Sequence, residues 1–461
     1  MRKGQKRELI GNEGKMILDT IRRLNRRHAV DHLLKILKKT HPADIAWTFR
    51  HLSPTERRSI FNIIAQTEMV GEFLSELDES IMLELVSDLT PQYMSAIVKE
   101  MDKDDAADLL EALPEEMANE IRKLMGKADR EEVDALLRYD PETAGGLMSP
   151  DFMAFDEEMS VGEAIKNVQE RSEESETSFY LYITHGEEGQ LAGILSLREL
   201  LLHPPYRQLK NVMNPNVITV STTTPQAEVA HIVSQYNFLA VPVVDSSYKL
   251  VGIVTVDDVI DVIREEATED FLRMAGAGKD QEILLKPVLE NARTRAPWLF
   301  ATLMGGVAAA FIITMFEAEL AQVLALAAFM PVVAGMGGNI GTQSSTIVVR
   351  GIATGRVNMD ALFKVVFKEM RVGLILGLTY GVFLGLLARL GYVEPGLLGV
   401  VVGLSVLLVM TMAATIGAFI PLILRRLNVD AAVATGPLIT TTMDIVGVTG
   451  YFVIAKFLLG L

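Results

Sequence analysis

Five apolar stretches, near residues 297–316, 321–349, 372–390, 397–424 and 431–461, limit most strongly what this chain can become. Each meets the roughly 20 residues that a helix needs to cross hydrocarbon, so region 291–461 is expected to be a polytopic α-helical membrane domain of five spans. Basic residues set its orientation. Arg293 and Arg295 precede the first stretch; Arg350, Arg356, Lys364, Lys368 and Arg371 lie between the second and third; Arg425 and Arg426 lie between the fourth and fifth. The opposite connections carry Glu317, Glu319 and Glu394 with only Arg389, so the positive-inside rule places the amino terminus in the cytosol and the carboxyl terminus outside. The opening MRKGQKRELIGNEGK is charged throughout and does not read as a cleavable signal. The plasma membrane is the expected location, with the residues before 291 cytosolic.

Charge is divided unevenly between these two parts. Of 43 Lys and Arg and 59 Asp and Glu, residues 291–461 hold 11 and 7, leaving 32 basic and 52 acidic side chains ahead of them. So acidic a front cannot grip a phosphate backbone, which excludes nucleic acid as a partner and points to cations. There is no Cys, and all seven His precede residue 291. A disulfide scaffold and a Cys-ligated metal site are therefore excluded, and the membrane part offers neither imidazole nor thiolate.

Residues 20–125 carry apolar positions at three- and four-residue steps, the mark of helices. Leu77, Leu89, Met101 and Leu113 recur every 12 residues, each before a polar or proline turn. Units that short cannot bury their own apolar faces, so stacked neighbours must share one core in a superhelical all-α domain, taken as 1–130. Most of its charges read as a solvated face. Asp104 and Asp108 stand out, because like charges four residues apart repel by about 0.2–0.5 kcal/mol unless something neutralises them.

Near residue 148 the pattern changes to alternating strand and helix, and the segment is duplicated. MSPDFMAFDEEMSVGEAIKNV from Met148 matches MNPNVITVSTTTPQAEVAHIV from Met213, and GQLAGILSLREL from Gly189 matches YKLVGIVTVDDV from Tyr248. The pattern resembles a tandem pair of α/β CBS domains over 146–263. Such pairs are regulatory sensors that often hold adenine nucleotides, with a hydroxyl and a carboxylate meeting ribose and phosphate. Gly252, Thr255 and Asp258 fit that signature in the second copy; the first has Ser196 and Glu199. A nucleotide-free scaffold is the competing reading.

From Asp257 to Met274 the chain reads as one helix whose carboxylates pair at 257/261, 261/265, 265/269 and 266/270, answered only by Arg264 and Arg273. A solvated linker normally alternates signs, so this one-sign helix favours cation binding. The tract AGAGKD after it ends in Asp280 where a phosphate-binding loop needs Ser or Thr, and reads as a hinge closing a connecting segment 257–280.

In the membrane part, Gly373, Gly377, Gly381 and Gly385 form a packing ladder in the third span. Pro331 and the cluster GMGGNIGTQSS are expected to break the second span, leaving Asn339 and Gln343 as pore or packing residues. In the last span Asp444 reads as the only ionisable side chain well inside any span, following Thr440, Thr441, Thr442 and Pro437. A carboxylate at that depth costs at least ~2.5–3.5 kcal/mol, and intramembrane acids default to function. Asp430 stands at the cytosolic start of the same helix, where it also suits the helix dipole. An intramembrane protease would need HExxH or two buried catalytic Asp, and an anion channel would not line its pore with Asp444.

Taken together, PVVAGMGGNIGTQSS, GPLITTTMDIVGVTGY, the acidic helices and the duplicated segment resemble the MgtE family of magnesium channels over essentially the whole chain. The resemblance implies a homodimer in the lipid bilayer with a central pore, Mg²⁺ as transported ion and regulator, and no enzymatic activity. It implies a pore site at Asp444 from both subunits. Thr440, Thr441 and Asn339 are the accompanying pore candidates, and Asp430 matches the mouth acid. Asp104 and Asp108 match the amino-domain regulatory acids, and Asp258, Asp261, Glu266, Glu269 and Asp270 those of the connecting helix. Arg198, Glu199 and Phe238, with Thr255 and Asp258, fall at the nucleotide positions, ATP being the expected occupant. STTTPQAEVA departs from the pattern, offering only Glu228 as a carboxylate. Transport of Co²⁺ or Mn²⁺, and outward exchange, remain the alternatives.

Overall fold

The computed structural model describes residues 3–171, 179–186, 189–278, 283, 286–354, 356–357, 362–391, 396–427, 429–434 and 436–460. Asp280 and Glu394 lie outside the described residues. The chain forms two compact units, Met1–Arg264 and Glu265–Leu461.

In the first unit a long helix, Lys3–Arg26, is followed by nine short ones from Val30–Leu37 to Lys127–Leu136. Proline opens three of them, where its missing N–H costs nothing: Pro42, Pro54 and Pro91 follow the caps His41, Ser53 and Thr90. Ser53 and Glu56 complete a reciprocal capping box. Each short helix turns one apolar stripe inward, and Phe49 and Phe73 meet edge-on at 4.8 Å in the shared core. The twelve-residue repeat marks that core: Leu77, Leu89, Met101 and Leu113 all pack against it.

The duplicated segment forms two three-stranded sheets of the same topology. Ala154–Asp156 pairs parallel to Tyr180–His185, which pairs antiparallel to Gln190–Ser196. Val220–Ser221, Ala240–Val244 and Leu250–Thr255 repeat this order, with the bulge at Val243/Val244 answering that at Ile183/Thr184. The copies exchange their leading segments. Ser149 bonds Ile253 of the second sheet in both directions at 2.8 and 2.9 Å, and Asn214 bonds Ile194 of the first at 3.0 and 2.9 Å. Gly252 and Gly193 make room for this exchange, since a Cβ on either would collide with Met148 or Met213 respectively.

The helix Val256–Met274 leads from the second sheet into the second unit. Among the described residues there, five helices are long and apolar enough to cross a membrane: Val288–Met315, Ala325–Ala353, Leu362–Leu390, Leu398–Arg426 and Pro437–Leu459. The fourth is the most buried and packs along the second and third. Gly373, Gly377, Gly381 and Gly385 lie so close to it that a Cβ would meet the backbone of residues 410, 407, 403 and 399 at 2.5–2.9 Å.

The second span differs from the expectation of a broken helix. Ala325–Ala353 is continuous through Pro331 and the glycine cluster. Pro331 lies in the second turn and leaves the Ala327 carbonyl without its usual N–H partner, yet the helix runs on through it. Two of the cluster's four glycines serve packing, Gly337 facing Val409 and Gly341 facing Ile439 and lying against Gly417, whereas a Cβ on Gly335 or Gly338 would meet nothing within 4 Å.

Candidate cation sites

Two separate groups of candidate residues emerge, one in each unit. In the second unit, Gly436 and Pro437 open the last span and aim its first turns, which carry Thr440, Thr441 and Asp444. The hydroxyls of Thr440 and Thr442 are spent on Pro437 O at 3.1 Å and Leu438 O at 2.7 Å. Thr441 differs: its buried Oγ1 finds no hydrogen-bond partner among the described residues, and it presses on Gly305 of the first span. Asp444 is half-buried one turn farther on. Asn339 and Gln343, four residues apart on the second span, are exposed in the single chain, on a strip away from the buried Ile340, Gly341 and Ser344.

Asp444 is not the only acid within the spanning helices. Glu369 lies beyond the apolar stretch 372–390 but inside the helix Leu362–Gly391, and is only 6% exposed. Its Oε2 accepts from Ser344 at 2.9 Å. The apolar window missed it because the helix begins ten residues earlier than the stretch.

At the start of the last span, Asp430 caps the turn Ala431–Ala434, accepting from Ala432 N at 2.8 Å. Its other oxygen is ion-paired with Arg273 of the connecting helix, which also pairs with Glu269. Two predicted cation acids thus share one arginine. Asp270, beside them, is raised by burial and then by Glu266, against Arg273.

In the first unit the helix Lys103–Ala112 buries Asp104 and leaves Asp108 exposed. Sequence reasoning missed their neighbour. Asp105 is pushed up to about 6 by burial, helped by Asp102, Glu76 and Asp257 and opposed by a Ser75 hydrogen bond. Asp258 is likewise pushed to about 6 by burial, with Asp257 and Asp105 adding to it. Glu76 is raised by burial and by Asp261. The available signal was the position of Asp102 and Asp105 at the cap and third residue of one helix start. Asp261 pairs with Arg264 at 3.0 Å on the surface. Among the described residues no three His, Asp or Glu converge closely enough to form a finished metal cage.

The nucleotide candidates are partly explained by helix starts. Ser196 and Glu199 form a capping box, and Ser196 hydrogen bonds hold the Glu199 carboxyl below its usual range. Thr255 repeats this in the second copy, its buried hydroxyl donating to Asp258 Oδ2 at 2.5 Å. Arg198 is exposed, and Phe238 stacks on Tyr236 at 5.4 Å.

Comparisons with known proteins agree with this layout. The family model described as a divalent cation transporter matches residues 330–454, the MgtE intracellular N domain matches 40–142, and CBS domains match 144–205 and 209–265. A magnesium transporter MgtE from Thermus thermophilus is 37% identical over 93% of this chain and 95% of its own length. Its counterpart from Bacillus subtilis is 34% identical over 91% and 92%. A crystal structure of the cytosolic domain of the Mg²⁺ channel MgtE in complex with ATP matches 53% of this chain and 99% of that one, at TM-score 0.50 and 34% identity. The soluble part of a magnesium transporter matches 55% and 99%, at TM-score 0.50 and 26% identity. With this coverage, five apolar helices and a tandem CBS pair, the chain belongs to the MgtE family, a family of multi-pass magnesium transporters.

Proposed function

We propose that the protein is a homodimeric Mg²⁺ channel for uptake, driven by membrane potential and closed by cytosolic Mg²⁺. In this reading segment 1–130, the CBS pair 146–263 and the connecting segment 257–280 form a cytosolic sensor, and 291–461 forms the pore. The amino terminus is cytosolic and the carboxyl terminus external. The chain is not an enzyme. Asp444 supplies the pore carboxylate, with Thr440, Thr441 and Asn339 beside the path. The exposed strip holding Asn339 and Gln343 supports a second copy against the second span, because polar amides facing lipid are costly.

Mg²⁺ sheds water reluctantly, so a few oxygen ligands around a hydrated ion suit it. A potential of 100 mV supplies about 2.3 kcal/mol per charge and roughly 4.6 for Mg²⁺, enough for more than a thousandfold accumulation without ATP hydrolysis.

The observation that carries the gating is the pair of half-buried acids Asp105 and Asp258, both held near 6 and close to further carboxylates. A divalent cation there would relieve both burial and repulsion. Driving a gate from 1:99 to 99:1 takes ~5.5 kcal/mol, whereas one site at ten times its dissociation constant gives ~1.4, so about four ions must act together. With Asp105, the acids Asp104, Asp108, Asp258, Asp261, Glu266, Glu269 and Asp270 make up the regulatory set, and Asp430 stands at the pore mouth. ATP at Arg198, Glu199, Phe238, Thr255 and Asp258 would tune the same sensor, a reading supported by the ATP-bound relative.

The test is Mg²⁺ entry into proteoliposomes under an imposed potential, without ATP or a proton gradient, as Mg²⁺ on the cytosolic face is raised. Fast flux at zero that shuts steeply is expected. Flux that needs a counter-ion gradient would establish an exchanger instead, and Mn²⁺ or Co²⁺ outcompeting Mg²⁺ would reassign the ion.

A further inference from the structure

Arg273 ends the connecting helix as the only basic residue of its last turn, and its side chain is 15% exposed. One arm of its guanidinium pairs with Glu269 a turn earlier, the other with Asp430 at the entrance to the last span. The surrounding backbone holds the helix end in place. Met274 packs with Val349, Ala431 and Ala432, and a Cβ on Gly436 would stand 2.9 Å from Met274 O. Asp430 itself is fixed through Ala432 N.

We infer that Arg273 is a tethered competitor of the transported cation, seated on the Glu269 and Asp430 carboxylates that a divalent ion must take to occupy the pore mouth. The inference rests on reading Asp430 as the mouth of a cation path. A guanidinium is always charged, weakly hydrated and forked, so it can serve two carboxylates at once. Mg²⁺ carries twice the charge but must give up water to bind tightly. The arginine therefore holds the mouth when the ion is scarce, and rising ion displaces it by mass action. Arg273 acts as a positioning residue, one that makes occupancy of the mouth depend on ion concentration.

Two measurements on the full-length protein test this. In detergent, Mn²⁺ binding followed by electron paramagnetic resonance should show a site roughly tenfold tighter in Arg273→Gln than in wild type. Arg273→Lys, which keeps the charge but lacks the fork, should fall between wild type and Arg273→Gln, and Arg273→Gln with Asp430→Asn should lose the gain. Unchanged binding in Arg273→Gln, or a gain that survives Asp430→Asn, overturns the proposal. The second measurement needs no variant and is safe from misfolding: phenylglyoxal modification of Arg273 in wild type, read by mass spectrometry, should rise several-fold when Mg²⁺ is added. Equal or lower reactivity overturns the competition. Proteoliposome uptake by wild type separates the two levels, since absent Mg²⁺ flux defeats the transport reading whatever Arg273 does.

Discussion

Asp258, at the start of the connecting helix, feels the charge of Asp105 on the helix Lys103–Ala112, and burial has pushed both carboxyls to about 6. Neither acid has an arginine or lysine among the groups that shift it. Half-buried acids raised by burial and by one another are costly in a purely structural domain and useful in a sensor.

The consequence for stability has a definite sign. Both carboxyls rise from 3.8 to about 6 on folding, so the folded state binds more protons between these values and loses stability as pH rises through them. Segment 1–264 in chelator should therefore melt higher at pH 5 than at pH 7.5, by roughly 5 °C. Millimolar Mg²⁺ at pH 7.5 should restore most of the difference. Asp105→Asn and Asp258→Asn should each flatten the pH dependence and blunt the Mg²⁺ response. Scanning calorimetry decides it, and a flat profile from pH 4 to 6.5 would refute the sensor.

Asp444 should show the opposite balance between stability and function. Removing a carboxylate from membrane depth relieves roughly 2.5–3.5 kcal/mol, so Asp444→Asn should melt at or above the wild-type temperature in detergent. Its Mg²⁺ uptake should nevertheless fall by about a hundredfold. A variant that transports normally would remove Asp444 from the path.

The first α/β copy offers a local test. Ser196→Ala breaks a capping box and should cost about 1 kcal/mol in chemical denaturation of the cytosolic segment. Glu199→Gln should cost less, because an amide can still accept the Ser196 bonds. ATP affinity measured on the same variants asks whether Glu199 does more than cap its helix; equal loss of affinity and stability in both would reduce it to that role.

The spans, the duplication and the lone last-span acid were legible because apolar length, repetition and an isolated charge are one-dimensional properties. The one-sign helix at 257–274 was legible for the same reason, and it forms as Val256–Met274. What the sequence hid depends on neighbours distant in the chain. Gly337 and Gly341 look like helix breakers until Val409, Ile439 and Gly417 are seen packed where their side chains would be. Asp105 is indistinguishable from Asp104 in a run of acids until folding sets it near Asp257. Arg273 looked like a screening charge for its own helix, yet it also grips an acid more than 150 residues later.

Gly305 and Gly306 provide an adjacent pair with opposite surroundings. A Cβ on Gly305 would overlap Thr441 Cγ2 and stand 2.8 Å from both its Cβ and its Oγ1, whereas one on Gly306 meets nothing within 4 Å. Thr441 lies three residues before Asp444, so Gly305 sets how closely the first span approaches the turn that carries Asp444. Gly305→Ala should destabilise the membrane unit by about 1–3 kcal/mol through overpacking, and should lower flux by moving Thr441. Gly306→Ala should be neutral or stabilise by up to about 1 kcal/mol, since alanine suits a helix better than glycine. Adding Thr441→Ser to Gly305→Ala removes the overlapping methyl and should recover part of the loss, a coupling that a double-mutant cycle reads directly. Strict additivity of the two substitutions would show that the first span does not support the turn carrying Asp444 through this contact.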